Sequence, residues 1–284
     1  MESNIIDPSL WIFILFTVFI FISFYFQIKN SEDPFIKRNL KRYLILRNLD
    51  KIYKPYLTQY FNFYNSLDEK NKLLFERRVQ RFIDLKEFIP RGGDKTVTPE
   101  MKAMIAATAI QLTFGYPKVY FLHFWRILIY PDNYYSTITH KYHKGEVNVR
   151  GIIVLSWKSF KEGFSNQTDG LNLGFHEMAH ALRLINIVEN EEYDFYDREI
   201  MNEFDKEAKY ETIKLINSPE EKSLFRNYGT VNLDEFFSVA IECFFEKSYE
   251  FKQYNPKLYM LITKILKIDP NQLYSESYIK NIAS

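Results

Sequence analysis

Apolar residues form one unbroken block near the start of the chain and occupy spaced positions afterwards. No charged residue occurs between Pro8 and Ile28, and residues 10–26 read Leu-Trp-Ile-Phe-Ile-Leu-Phe-Thr-Val-Phe-Ile-Phe-Ile-Ser-Phe-Tyr-Phe. A block of this length predicts a helix that spans a bilayer, with Trp11 and Tyr25 near its two interfaces. A cleaved signal peptide is the alternative. It is disfavoured because the preceding residues lack Lys and Arg and no small-residue cleavage site follows.

The charges around this block predict its orientation. Glu2 and Asp7 precede it, whereas basic residues follow it at Lys29, Lys37, Arg38, Lys41, Arg42 and Arg47. The positive-inside rule then places the rest of the chain in the cytoplasm, and a single cysteine, Cys243, agrees with a reducing compartment. We therefore predict a single-pass membrane protein with an anchor over residues 1–30, a juxtamembrane helical segment over 31–64 and a larger folded domain over 65–284.

Beyond the block, the spacing of apolar residues predicts both helices and strands. Helical intervals indicate a helix over residues 67–88 and another from the N-cap Thr98 to about residue 114. Short runs rich in β-branched and aromatic residues then predict strands at 119–122, 126–130 and 151–157. A small sheet combined with helices makes the predicted fold class α+β.

The main candidate for chemistry is His176-Glu177-Met178-Ala179-His180. Residues four apart share one face of a helix, so His176 and His180 can bind one metal ion with Glu177 beside them. Zn²⁺ with three protein ligands keeps a position for water and lowers its pKa to about 7, and Glu177 is placed to take the proton. A polar surface helix is the alternative. The surrounding apolar residues instead indicate a buried helix, in which these groups need a partner.

A second helix is predicted after Asn232, which is a favourable N-cap residue. It carries Glu235 and Glu242 on one face among several phenylalanines. Buried glutamates are costly unless they are paired, hydrogen-bonded or bound to metal. The alternative is that these acids are stabilised by the helix dipole, which suits Asp234 better than Glu235.

Other functional classes have weaker support. His140 and His143 are three positions apart, but a polar hairpin region without a nearby carboxylate or cysteine is more typical of a solvated loop than of a second metal site. Gly92-Gly93 is not followed by the Lys-Ser or Lys-Thr of a phosphate-binding loop. The 37 basic and 36 acidic residues nearly cancel, so the charge gives no indication of nucleic-acid binding.

The histidine motif, followed by Tyr228 and by Asp234-Glu235-Phe236-Phe237, resembles the gluzincin peptidases, and most closely the Mlc titration factor A family. The lethal-factor metalloprotease domain has a similar set of motifs. The similarity covers about residues 65–270. One departure is Arg183, where the family tends to have aspartate.

This resemblance implies a zincin-like peptidase domain with one Zn²⁺ ion. It implies that His176, His180 and Glu235 are the zinc ligands, Glu177 the general base and Tyr228 the hydroxyl that stabilises the oxyanion. Glu242, two turns beyond Glu235, is a candidate to orient a ligand histidine.

We therefore predict a membrane-anchored zinc metallopeptidase that acts on peptide or protein substrates. The strand through Val154, Leu155 and Ser156 is the candidate sheet edge for an extended substrate. The alternative is a catalytically silent zinc-binding membrane protein that binds a regulator or scaffolds a complex. The sequence favours the enzyme, because holding zinc alone requires neither Glu177 nor Tyr228.

Overall fold

The computed structural model describes residues 8–29, 46–93, 96–116, 118–136, 140–188, 190, 192, 195–217, 223–226, 229 and 231–272. Contacts divide the chain into two compact units, residues 1–45 and 46–284. The larger unit thus includes residues 46–64. The predicted domain boundaries at residues 30 and 64 remain predictions.

The described part of the smaller unit is helix α1, Pro8–Lys29. Within the residues that the structure describes, no helix combines the length and the apolar character needed to cross a bilayer. A helix that crosses a bilayer needs about 20 consecutive, predominantly apolar residues. On this finding, the predicted transmembrane helix, the bilayer contact of residues 10–26 and the single-pass location with a cytoplasmic domain are wrong.

The larger unit begins with four helices that pack against one another. They are α2 (Lys54–Tyr60), α3 (Asn62–Ser66), α4 (Glu69–Leu85) and α5 (Pro99–Leu112), with strand β1 (Glu87–Pro90) between the last two. The helix predicted over 67–88 is confirmed with shorter bounds. Thr98 caps α5 as predicted, its hydroxyl accepting from the amide of Met101 at 3.2 Å.

The main sheet has four strands in the order β1-β2-β6-β5. Its other members are β2 (Arg126–Tyr130), β5 (Gly145–Asn148) and β6 (Ile152–Ser156). The strands β1, β2 and β6 are parallel, whereas β5 is antiparallel to β6. A separate hairpin pairs β3 (Tyr134–Ser136) with β4 (Lys141–His143).

Two of the three predicted strands are confirmed, and the third is wrong. Residues 126–130 form β2, and β6 lies within the predicted run 151–157. The prediction of a strand at 119–122 is wrong, because the amides of Tyr120 and Leu122 donate to the carboxylate of the distant Glu192 instead of to a neighbouring strand.

The prediction that Val154, Leu155 and Ser156 form a sheet edge is also wrong. They belong to β6, which pairs with β2 on one side and β5 on the other, so its main-chain groups are already used. The edge strand of the described sheet at this end is β5.

The second half of the unit is helical. Its elements are α6 (Trp157–Gly163), α7 (Leu173–Ile187), α8 (Arg198–Asn217), α9 (Leu233–Glu246), α10 (Ser248–Tyr254) and α11 (Pro256–Leu266). Helix α7 packs against α9, α5 and β5. Phe175 of α7 and Phe245 of α9 stack at 4.6 Å between ring centroids. The α+β architecture with a small sheet is as predicted, and it brings α7, α9 and the edge strand together.

Candidate metal centre

Helix α7 presents the histidine motif because its N-cap and its apolar face fix its position. The side chain of Asn172 accepts from the amide of Phe175 at 3.1 Å, which defines the first turn. Met178 and Leu182 are fully buried in the core on one face of the helix. His176 and His180 lie on another face, directed at α9.

Helix α9 brings the third side chain into the same place. Asn232 caps it as predicted, accepting from the amide of Glu235 at 2.9 Å. Glu235 therefore stands in the first turn, where its carboxylate meets the two imidazoles. The structure thus brings together the three residues that the resemblance implied to be ligands.

The spacing of the donor atoms matches a tetrahedral ion. Nε2 of His176 and Nε2 of His180 are 3.1 Å apart. Oε2 of Glu235 lies 3.2 Å from the first nitrogen and 3.4 Å from the second. Nitrogen and oxygen ligands at about 2.0–2.1 Å from a tetrahedral zinc ion are separated by about 3.4 Å. Three such atoms therefore fit one ion between them.

The electrostatics of the cluster also favour a cation. Oε2 of Glu235 is buried and accepts no hydrogen bond, although buried carboxylate oxygens are normally satisfied. Burial alone would raise the pKa of Glu235, but contacts with His176 and His180 lower it to about 2. Burial alone would lower the pKa of His176, but Glu235 and Glu242 raise it to about 9. Positive charge is therefore stabilised at the point where the three donors meet.

Glu177 lies beside the cluster and is 6% exposed. A side chain at Gly145 of the edge strand would overlap its carboxyl group, so the close approach of β5 requires glycine there. Burial raises the pKa of Glu177 to about 7, an effect that positive charge on His176 and His180 opposes. This carboxyl group can therefore exchange a proton near neutral pH.

Glu242 supports the cluster from behind. Its Oε1 lies 2.8 Å from Nδ1 of His176, so the imidazole is held with Nε2 towards the other donors. Its Oε2 accepts from the amide of Asn172 at 2.6 Å, and Arg226 donates to Oε1. The carboxylate is 1% exposed and is contacted by three residues, two at the start of α7 and one in the loop before α9.

A cleft opens in front of the cluster. Its volume is about 660 Å³, and its lining includes His176, Glu177, Arg226, Leu173 and Tyr142. The volume and the mixture of polar and apolar lining residues suit a peptide-sized ligand. Tyr228, predicted to stabilise the oxyanion, lies outside the described residues.

Sequence reasoning missed two residues of this region. Arg226 belongs to no recognisable sequence motif. It contacts Glu242 because the fold brings its loop next to α9. Gly145 belongs to no motif either, and the structure places it against Glu177. Neither relation has a local sequence signal.

The comparisons with known proteins agree with this geometry. Residues 36–267 match the glucose-regulated metallopeptidase M90 family, and the chain belongs to that family. The resemblance to the Mlc titration factor A family is thereby confirmed. The chain is also 26% identical over 244 residues to an uncharacterized protein of Synechocystis sp., which covers 81% of this chain and 88% of the relative.

Proposed function

We propose that this protein is a zinc-dependent peptidase that hydrolyses peptide bonds. The observation that carries the proposal is the set of three donor atoms at tetrahedral spacing, with an unsatisfied carboxylate oxygen among them and a buried glutamate alongside. Membership of a metallopeptidase family supports the reaction class. The donor set of two imidazoles and one carboxylate is that of catalytic zinc sites with one open position.

His176, His180 and Glu235 would hold the ion, which supplies Lewis acidity to a substrate carbonyl and to a water molecule. Glu177 would take a proton from the attacking water and return it to the leaving amine. Without metal, the pKa of Glu177 is raised to about 7. A cation bound nearby would lower this pKa, so that more of Glu177 would be in the carboxylate form that accepts a proton. Tyr228 is proposed to donate a hydrogen bond to the developing oxyanion.

The substrate would bind in extended form against β5. Because β6 is covered on both sides, the main-chain groups that can add a strand belong to Gly145–Asn148. Val154, Leu155 and Ser156 would then act indirectly, by holding β5 in register, since Leu155 pairs with Gly145 and Val154 with Glu146. In this arrangement the peptide would lie beside Glu177, because β5 approaches that side chain at Gly145.

The test compares Glu177→Gln with wild-type protein and with Glu203→Gln, a matched change at an exposed position of α8. We expect Glu177→Gln to bind one zinc ion per chain and to lose peptide hydrolysis by at least about 100-fold, the contribution of a general base. Glu203→Gln should match the wild type. Wild-type rates in Glu177→Gln would overturn the mechanism.

A second arm separates the enzyme from a silent zinc-binding protein. Chelation should abolish hydrolysis of a mixed peptide library, and added zinc should restore it. If the wild-type protein holds zinc tightly and releases no new peptide ends, the proposal of an enzyme fails and the scaffold alternative stands.

A further inference from the structure

Arg183 lies one turn beyond His180, on the face of α7 that is directed at α9. Its Nε is 2.8 Å from Oδ1 of Asp234, and its Nη1 is 3.4 Å from Oδ1 of Asp205 on α8. The guanidinium carbon lies 5.3 Å from the ring centre of Phe237. A side chain that is 13% exposed thus has two carboxylates and an aromatic face around it.

The position of Asp234 gives these contacts their significance. Asp234 directly precedes the proposed ligand Glu235 in the first turn of α9. The amides of a first turn lack intrahelical partners, and here the described cap comes from Asn232 alone. A further bond from α7 to this turn therefore restricts the movement of Glu235 relative to both histidines.

We propose that Arg183 is a positioning residue for the metal centre. It ties the first turn of α9 to α7, so that the carboxylate of Glu235 and the imidazoles of His176 and His180 keep their mutual spacing. Asp205 lies beside Nη1 at the longer distance of 3.4 Å and has no contact with the first turn of α9 in this scheme. The inference rests on the proposed metal centre but does not require that the protein cleaves peptides.

The size of the effect follows from the exposure of the partner. The side chain of Asp234 is 60% exposed, and an ion pair with a solvated partner contributes little. We therefore expect the zinc dissociation constant to rise by about threefold to fivefold when the bond is lost, well below the effect of removing a ligand.

The experiment is a double-mutant cycle in the full chain, using Arg183→Met, Asp234→Asn and the double variant. Asp205→Asn is the matched control, because it removes a carboxylate partner of Arg183 that is not on a metal-binding helix. Zinc dissociation constants are measured by competition with a chromophoric chelator, and the absorption spectrum of the cobalt-loaded protein reports the ligand geometry. Thermal unfolding of each metal-free variant separates loss of folding from loss of positioning.

We expect Arg183→Met and Asp234→Asn to weaken zinc binding to the same extent and to change the cobalt spectrum. The double variant should be no weaker than either single one, and Asp205→Asn should stay within twofold of the wild type. Additive losses, an equal loss in Asp205→Asn, or an unchanged constant in Asp234→Asn would overturn the inference. Asp234→Asn decides the matter if Arg183→Met does not fold, since it changes an exposed side chain.

These outcomes are distinct from failure of the proposed function. A wild-type protein that binds zinc and cleaves nothing would remove the enzymatic proposal, while the dissociation constants would still decide the role of Arg183. A wild-type protein that binds no zinc would overturn both.

Discussion

Glu235 and Glu242 stand on the same helix and approach opposite nitrogens of the same imidazole, yet their surroundings differ. Glu242 meets Nδ1 of His176 at 2.8 Å and accepts from the amide of Asn172 and from Arg226. Glu235 meets Nε2 at 3.2 Å, and its buried Oε2 accepts no hydrogen bond. The protein thus supplies hydrogen-bond donors to both oxygens of Glu242 but supplies none to Oε2 of Glu235.

The difference distinguishes a support from a ligand. A buried carboxylate with protein donors on both oxygens has a fixed orientation and can hold an imidazole in one tautomer. A buried carboxylate oxygen without a donor costs free energy until a cation occupies the space in front of it. Two glutamates of the same type thus serve different purposes because their neighbours differ.

The largest expected effect on zinc affinity comes from Glu235→Gln, which removes the negative charge of the proposed carboxylate ligand. Loss of a partner behind a ligand typically costs about 10–100-fold in metal affinity, so loss of a ligand should exceed about 100-fold. Zinc affinity would be measured by chelator competition. Circular dichroism of the metal-free variant should match the wild type, because glutamine keeps the shape of the side chain and the Asn232 cap of the helix is unchanged. Unchanged zinc affinity would make Glu235 a structural acid like Glu242.

Gly145→Ala should impair the proposed general base, Glu177, without affecting zinc binding. The added Cβ would overlap the carboxyl group of Glu177, which must then move or push β5 away. Since a positioned base contributes about 10²–10⁴-fold, we expect peptide hydrolysis to fall by at least about 100-fold. Zinc content, measured by atomic absorption, should remain at the wild-type level because the three atoms nearest to the added Cβ all belong to Glu177, which is not a proposed ligand. Activity within threefold of the wild type would show that Glu177 is not the base.

Glu242→Gln tests the supporting carboxylate. The variant keeps the shape of the side chain but loses the charge that pairs with Arg226 and attracts Nδ1–H of His176. We expect zinc affinity to fall by about 10–100-fold, less than for Glu235→Gln, because the three donor atoms remain. If Glu242→Gln and Glu235→Gln lost zinc affinity equally in the same chelator competition, Glu235 could not be distinguished as a ligand from Glu242 as a supporting residue.

The sequence predicted those parts of this arrangement that depend on local pattern. Two histidines four apart on an apolar helix, and a glutamate three positions after an N-cap asparagine, are visible in the residues themselves. The structure brings His176, His180 and Glu235 together as expected. Cys243 is buried within α9.

Features that depend on distant partners were missed or wrong. Strand β1 is four residues long and forms only because β2, far along the chain, pairs with it. Residues 119–122 have the composition of a strand, but their amides are satisfied by Glu192. The contacts of Arg226 with Glu242 and of Gly145 with Glu177 likewise depend on the fold.

The smallest expected effect concerns the pH dependence of stability. In the metal-free protein Glu235 and Glu242 raise the pKa of His176 from 6.5 to about 9. A group whose pKa is raised on folding contributes stability that is present below the unfolded value and lost as pH rises through the folded value. Burial raises the pKa of Glu177 to about 7, which gives a dependence of the same sign at lower pH.

The metal-free protein should therefore lose stability between pH 6.5 and 9, by an amount on the order of 1–2 kcal/mol. Zinc requires neutral histidines, so its binding strengthens over the same interval and the zinc-loaded protein should not show this loss. Urea unfolding at both pH values, with and without chelator, measures the difference. Glu242→Gln should reduce the slope in the metal-free protein, because one of the two carboxylates that favour the imidazolium is gone. A metal-free protein that becomes more stable with rising pH would contradict the proposed charge balance around His176.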